Sequence, residues 1–177
     1  MKTRRVLYIV YCAMFLALFM ALDYVSQFIP LFKMPNGGSI SLGIIPLLLA
    51  SYLFGPVVGV GVGLLSIPLQ FILGPIYFVT WQQFFLDYVL GFGIYGIAIL
   101  FPNLNIKIGK GKLGIYTGII ISAAVRFLSS TASGVWYFGY TWEASAIYNF
   151  GYIFATMLVC LILVPIIHER LKATLTV

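Results

Sequence analysis

The chain has 177 residues, of which 62% are hydrophobic and only 8% are charged, and its formal net charge is +6. Because soluble domains carry about 25% charged residues, this composition excludes an ordinary soluble fold and predicts a protein that lies in the lipid bilayer. A spanning helix takes about 20 apolar residues, so six helices use most of the chain and leave no room for a soluble catalytic domain. We therefore predict one transmembrane domain over residues 1–177.

Apolar runs divided by proline and glycine predict an all-α fold of six transmembrane helices. In chain order these helices cover residues 5–29, 42–53, 57–73, 81–101, 113–134 and 144–168. The second run is short for a full span, so we expect that helix to tilt little or to begin below the membrane surface. A polar, basic loop is predicted over residues 102–112.

The basic residues indicate how the helices are oriented. They form three groups, which are Lys2, Arg4 and Arg5; Lys107, Lys110 and Lys112; and Arg170 and Lys172. With six spans these groups all fall on one side of the membrane, whereas the other side has only Lys33. Cytoplasmic loops carry the excess of lysine and arginine, so both termini are predicted to be cytoplasmic. The net charge then indicates no nucleic-acid partner.

Small residues recur every four positions in two of the predicted helices. The third helix region has Gly55, Gly59 and Gly63, and the first helix has Ala13, Ala17 and Ala21. This spacing lets membrane helices approach closely. We expect the glycines to serve packing within the chain. For the alanines, internal packing and an exposed face that docks on another subunit are both open.

Three ionisable residues, Asp23, Asp87 and Arg126, lie inside predicted spans. Each is six to eight residues, or roughly 9–12 Å, from the outer end of its helix. Charged side chains are costly in a bilayer and mark a site by default, so the shared level predicts an outward-facing polar pocket in which Arg126 neutralises one carboxylate. The alternative is that Asp23 and Arg126 form a salt bridge that only fixes helix packing.

Aromatic and polar side chains gather at the same predicted level. They include Tyr77, Gln83, Tyr88, Ser130, Tyr148 and Asn149. An interfacial aromatic belt accounts for several of the rings, but a belt does not require the amides and the hydroxyl. Aromatic faces with a few polar groups suit a small, flat, heterocyclic ligand.

The sequence lacks the motifs that ATP hydrolysis, zinc proteolysis and serine hydrolysis need. Its single histidine, His168, is at the end of the last predicted helix. We therefore predict no catalytic residue, no metal site and no cofactor. The chain also lacks the length and the charged relay of an autonomous secondary transporter, so a subunit of a larger transporter is favoured over an enzyme.

Five short stretches follow one another in a recognisable order. They are Ala13-Met-Phe-Leu-Ala17, residues 38–46, the G-x-x-Y and Q-x-x-L-D-Y patterns within residues 74–88, the R-x-x-x-S-x-x-x-G-V pattern of residues 126–135, and Tyr148-Asn149. In their order, spacing and topology they resemble the substrate-binding S components of energy-coupling factor (ECF) vitamin transporters, most closely the thiamine-specific ones. The resemblance covers nearly the whole chain.

The resemblance implies a vitamin pocket in which Asp87 takes the place of a family glutamate that binds the aminopyrimidine, with Gly134 in the pocket wall. The complete predicted binding set is Tyr77, Gln83, Asp87, Tyr88, Arg126, Ser130, Gly134, Phe138, Tyr148 and Asn149. Ser130 stands where the family has a histidine, and Gly38 and Phe138 stand where it has tryptophans. A related ligand, such as a thiamine pyrimidine precursor or a vitamin B6 form, is therefore an alternative to thiamine.

The resemblance also implies a multi-pass protein of a prokaryotic cell membrane. Such a subunit works with a transmembrane coupling subunit and two ATPases, on which ATP is hydrolysed. The face of Ala13, Ala17 and Ala21 would dock on the coupling subunit. A membrane accessory protein without any ligand is the remaining alternative, and it predicts that Asp87, Arg126 and Asn149 are only structural.

Overall fold

The computed structural model describes residues 2–28, 34, 38–73, 79–108 and 111–174. Within these ranges six helices and one hairpin follow each other. The helices are α1 (Lys2–Gln27), α2 (Ile44–Phe54), α3 (Pro56–Leu73), α4 (Trp81–Leu100), α5 (Thr117–Phe138) and α6 (Trp142–Thr174), and the strands are β1 (Leu104–Ile108) and β2 (Gly111–Ile115). The prediction of a helical membrane protein with six helices is confirmed.

The described helices differ in their ability to cross a membrane. Four of them are long and apolar enough, over Val6–Gln27, Trp81–Leu100, Thr117–Phe138 and Trp142–Thr174, whereas α2 and α3 are shorter apolar helices. The chain is therefore a multi-pass membrane protein.

Both termini lie at the same end of the bundle. Near the start of α1, the ring of Tyr8 lies 6.0 Å from that of Phe54, which ends α2. Near the end of α6, the ring of His168 lies 5.7 Å from that of Tyr52, also at the end of α2. We call this the terminal end and the opposite one the far end. That the terminal end faces the cytoplasm stays a prediction.

Helix α2 forms the centre of the bundle. Its residues from Ile44 to Tyr52 are all buried, and it packs against α1, α3, α4 and α6. A helix that is apolar on every side and surrounded by protein has no lipid thickness to match, which explains why 11 residues are sufficient.

Glycines bring α3 and α4 into backbone contact. A Cβ atom added to Gly59 would lie 2.5 Å from the carbonyl oxygen of Gly96, and one added to Gly63 would lie 2.8 Å from that of Phe92. The predicted packing role of these two glycines is confirmed. Gly55 differs, because it has open space around it and a φ of 88° where the chain turns after α2.

The β-hairpin is a departure from the expected connection between the fourth and fifth helices. Leu104 pairs with Ile115, and Ile108 pairs with Gly111. Apolar and polar residues alternate along β1, and such a two-residue period is typical of a strand. The basic composition of residues 102–112 had indicated a loop without strands. Because the hairpin extends to Ile115, α5 begins only at Thr117, four residues later than predicted. It ends at Phe138, which is also four residues later than predicted.

Candidate functional site

Asp87 lies in an irregular part of α4, at the far end of the bundle. The hydroxyl of Thr80 caps the first turn of α4 by accepting a hydrogen bond from the Gln83 amide at 3.2 Å. The turn that follows is a π-helix over Phe85–Leu90, which contains Asp87 and Tyr88. Single π-turns within helices are frequent at functional sites, because the wider turn redirects the side chains that it carries.

Two buried donors hold the carboxylate of Asp87. The Gln83 side-chain amide and the Ser133 hydroxyl both donate to Asp87 Oδ2, the second over 2.7 Å. Gln83 is 1% exposed and Ser133 is 0% exposed. Hydrogen bonds to a charged acceptor are stronger than neutral ones, so this arrangement fixes the carboxylate. Such a group suits a ligand that is cationic or that donates hydrogen bonds.

A second polar cluster joins α5 to α6 beside Asp87. Asn149 Nδ2 donates to the carbonyl oxygens of Ser130, at 3.3 Å, and Ser145, at 2.9 Å. The Tyr152 hydroxyl donates to Asn149 Oδ1 at 2.7 Å. The amide of Asn149 is therefore engaged on both its oxygen and its nitrogen by the protein itself, and the side chain is buried.

Gly134 lies where α5 and α6 are closest. A Cβ atom on Gly134 would overlap the hydroxyl oxygen of Ser145, which itself donates to the Thr131 carbonyl oxygen at 2.9 Å. Gly134 thus lies at a close contact between α5 and α6, and its place in the pocket wall stays a prediction.

Arg126 stacks on aromatic rings of α4. Its guanidinium carbon lies 4.5 Å from the ring centre of Phe92 and 5.8 Å from that of Tyr95. Among the residues that the structure describes, the only contact within 4.0 Å between a basic nitrogen and a carboxylate joins His168 and Glu169. Arg126 therefore forms no direct salt bridge, but its charge acts electrostatically on Asp87, which agrees with the expectation that it compensates one carboxylate. The two rings stabilise the guanidinium through cation–π contact.

Two groups of aromatic rings flank the polar clusters. Tyr88 stacks with Phe84 at 5.2 Å and with Phe92 at 6.3 Å, which forms a ladder along α4. Tyr148 on α6 stacks with Tyr140 at 6.4 Å and meets Tyr152 edge-on at 6.3 Å. Flat faces from α4 and α6 thus stand at the same end of the molecule as Asp87.

The structure does not join every predicted residue to this site. Phe138 ends α5 and is 38% exposed, and no contact that the structure describes links it to Asp87. Tyr77 lies outside the described residues. An apolar groove of about 500 Å³ also opens at this end, and its lining residues are Trp81, Gln82, Phe85, Leu86, Trp136 and Tyr137, none of which belongs to the predicted binding set.

Asp23 does not belong to the cluster around Asp87. Its Oδ1 accepts a hydrogen bond from the Ser41 hydroxyl at 2.6 Å. The alternative of a salt bridge between Asp23 and Arg126 is excluded as well. The shared level of three charges in the sequence therefore corresponds to Asp87 and Arg126 at one site and to Asp23 in a separate environment.

The alanines of α1 lie on the surface of the chain. Ala13, Ala17 and Ala21 are all exposed, so their spacing does not serve packing within this chain. Neighbouring positions on α1, including Met14 at 47% and Leu18 at 43%, are exposed as well.

Sequence reasoning missed Ser133 and gave Tyr152 no specific role. Ser130 and Ser133 are one turn apart on α5, and Arg126 is one further turn away. The helical period alone would have placed these side chains on one face of α5. That this face contacts Asp87 of α4 follows only from the three-dimensional structure.

Three comparisons with known proteins agree with this description. The sequence model of the thiamine transporter protein family (Thia_YuaJ) matches residues 9–176. The thiamine transporter ThiT of Bacillus subtilis is 30% identical over 143 residues, which are 73% of this chain and 74% of that protein. A solved structure of ThiT from Listeria monocytogenes matches with a TM-score of 0.69 and 22% identity, and it covers 94% of this chain and 96% of that one.

The structural match supports the fold, and the family model with the Bacillus subtilis relative supports the assignment by sequence. The family model extends from α1 to the end of α6, so it includes both polar clusters and the alanine face. This chain belongs to the Thia_YuaJ family of thiamine transporter proteins.

Proposed function

We propose that the chain is the thiamine-binding S component of an ECF-type transporter. The observation that carries the proposal is the half-buried carboxylate of Asp87, held by Gln83 and Ser133 between α4 and α5 in a chain of the thiamine transporter family. Thiamine has a permanently charged thiazolium ring and an amino group on its pyrimidine. A fixed carboxylate complements both, as acceptor for the amino group and as counter-charge for the ring.

The proposed contacts divide into binding and positioning groups. Asp87, Tyr88, Tyr148 and Ser130 would meet the vitamin, together with Tyr77, Arg126 and Phe138. Gln83 and Asn149 would act by orienting Asp87 and the rings, because their amides already bond to neighbouring groups. Gly134 would keep the α5–α6 contact close.

The chain would act as the binding subunit and not as an enzyme. Its relatives are transporter proteins, and hydrolysis of ATP would take place on two partner ATPases. The exposed face of Ala13, Ala17 and Ala21 supports docking on a transmembrane coupling subunit, because small residues let helices of two chains approach closely.

Tryptophan fluorescence of the purified protein in detergent provides the test. Trp81, Trp136 and Trp142 are the three tryptophans, and all lie at the far end, with Trp136 and Trp142 in edge contact at 6.3 Å. Saturable quenching by nanomolar thiamine is expected. Asp87→Asn should weaken binding by about tenfold to a hundredfold, because it removes the negative charge that complements the thiazolium ring and leaves only a neutral hydrogen-bond acceptor.

The control is Glu143→Gln, which removes an exposed carboxylate from the first turn of α6 and should leave the affinity unchanged. If the fluorescence responds to pyridoxine or hydroxymethylpyrimidine but not to thiamine, that compound and not thiamine is the ligand. If no vitamin changes the fluorescence or the thermal unfolding of the protein, the proposed binding function is wrong and an accessory role is favoured.

A further inference from the structure

The intramembrane acid Asp23 has a partner but no place in the site around Asp87. It lies near the far end of α1, is half-buried, and accepts from the Ser41 hydroxyl at 2.6 Å. An acidic group within a membrane span is costly, so a hydrogen-bonded carboxylate at this position requires an explanation beyond helix formation.

Residues 38–43, which we call the return segment, lead the chain from the α1–α2 connection into α2. Three contacts fasten this segment to α1. Ser41 donates to Asp23, and the Leu42 amide donates to the buried Ser26 hydroxyl at 3.0 Å. A Cβ atom on Gly43 would lie 2.9 Å from the Phe19 ring and 3.1 Å from Asp23 Cβ.

The other side of the return segment faces α6. The Ser41 amide donates to Thr156 Oγ1 at 3.2 Å, so Ser41 joins α1 with its side chain and α6 with its backbone. A Cβ atom on Gly38 would lie 2.9 Å from the ring of Tyr152. The hydroxyl of that ring donates to Asn149 Oδ1 at 2.7 Å.

We propose that Asp23 is a positioning residue for the vitamin site, because its bond to Ser41 holds the return segment against Tyr152 and so orients Asn149. The proposal deepens and rests on the proposed binding function. Asp23 acts through a hydrogen bond and does not touch the ligand. The hydrogen bond between Asp23 and Ser41 lies in the membrane-embedded part of the protein. There a serine hydroxyl or a carboxylate without a partner would be costly.

Affinity measurements on four variants of the full chain test the bond. Asp23→Ala should weaken binding of thiamine about tenfold, because a hydrogen bond to a charged acceptor is lost. Asp23→Asn should remain within about threefold of the wild type, because the amide oxygen still accepts from Ser41. Ser41→Ala should match Asp23→Ala, and the double variant should be no weaker than either single one.

Ser66→Ala provides the control, because Ser66 is also fully buried but bonds to the Gly63 carbonyl oxygen within α3. It should leave the affinity unchanged. If Asp23→Asn is as weak as Asp23→Ala, the charge and not the hydrogen bond matters, which overturns the proposal. Additive losses in the double variant, or an unchanged affinity of Asp23→Ala, also overturn it.

Amide hydrogen exchange gives a readout that needs no ligand. The amides of Ser41 and Leu42 bond to Thr156 and Ser26, so Asp23→Ala and Ser41→Ala should both speed exchange in residues 38–43, whereas Asp23→Asn and Ser66→Ala should not. Unchanged exchange in Asp23→Ala contradicts the anchoring role. If the wild-type protein binds another vitamin and not thiamine, only the proposed ligand is wrong. The variants are then titrated with that vitamin.

Discussion

The hydroxyl of Ser133 reaches Asp87 from 46 residues further along the chain, at 2.7 Å. We predict that Ser133→Ala weakens thiamine binding about tenfold, because the carboxylate loses one of the donors that hold it. Ser133→Thr, which keeps the hydroxyl, should restore most of the affinity. Fluorescence titration of both variants checks this.

Ser122 on the same helix is the matched control. It is also 0% exposed, and its hydroxyl donates to the Ile94 carbonyl oxygen at 3.2 Å, away from Asp87. Equal losses in Ser122→Ala and Ser133→Ala would mean that any buried hydroxyl of α5 matters, and the specific role of Ser133 would be rejected.

At the scale of single residues, the sequence identified Asp87 and its neighbour Gln83 but missed the donor Ser133. Intramembrane charges are rare and functional, so Asp87, Asp23 and Arg126 could be recognised from hydropathy alone. Their partners could not, because Ser133, Ser41 and Phe92 come from other parts of the chain. This is why the shared level predicted one pocket for all three charges, whereas the fold separates Asp23 from Asp87 and Arg126.

The contact between α3 and α4 illustrates packing at the scale of elements. We predict that Gly59→Ala lowers the free energy of unfolding by about 1–3 kcal/mol, because its Cβ would lie 2.5 Å from the Gly96 carbonyl oxygen. A backbone atom cannot move aside as a flexible side chain does. Thermal unfolding of the purified protein in detergent is the measurement.

Gly61→Ala on the same helix is the control, because nothing lies within 4 Å of its Cβ position. It should keep or slightly raise the unfolding temperature, since alanine has the higher helix propensity. Equal destabilisation by both substitutions would indicate a general intolerance of α3 and would contradict the close-contact explanation.

The sequence predicted the helix boundaries more accurately than the type of helical turn within the helices. The breakers at Gly55-Pro56 placed α2 and α3 within two residues of their observed bounds. The π-turn of α4 and the hairpin before α5 were not recognised. Hydropathy reports where an apolar run stops, but it does not distinguish a π-turn from an α-turn of the same composition.

The exposed alanine face of α1 concerns the whole molecule. We predict that Ala17→Leu leaves thiamine affinity unchanged but reduces vitamin uptake by cells that contain the proposed coupling subunit and ATPases. The larger side chain would separate two helices that small residues allow to touch. Fluorescence titration and uptake of labelled thiamine are measured on the same variant.

Ala124→Leu is the control for this prediction, because Ala124 is also exposed but lies on α5. It should affect neither binding nor uptake. Full uptake by the Ala17 variant would show that this face is not the docking surface, whereas loss of affinity would show that α1 shapes the site directly.

The sequence by itself determined the class of the protein, the number of helices and the family. These properties depend on composition and on local order, since an apolar run of sufficient length has to enter the bilayer and satisfy its backbone within a helix. Only the tertiary structure decided which polar groups meet. Ser133 lies 46 residues from its partner Asp87 in the chain, and Ser41 lies 18 residues from its partner Asp23. The partner of such a side chain is set by how the helices pack and not by its neighbours in sequence.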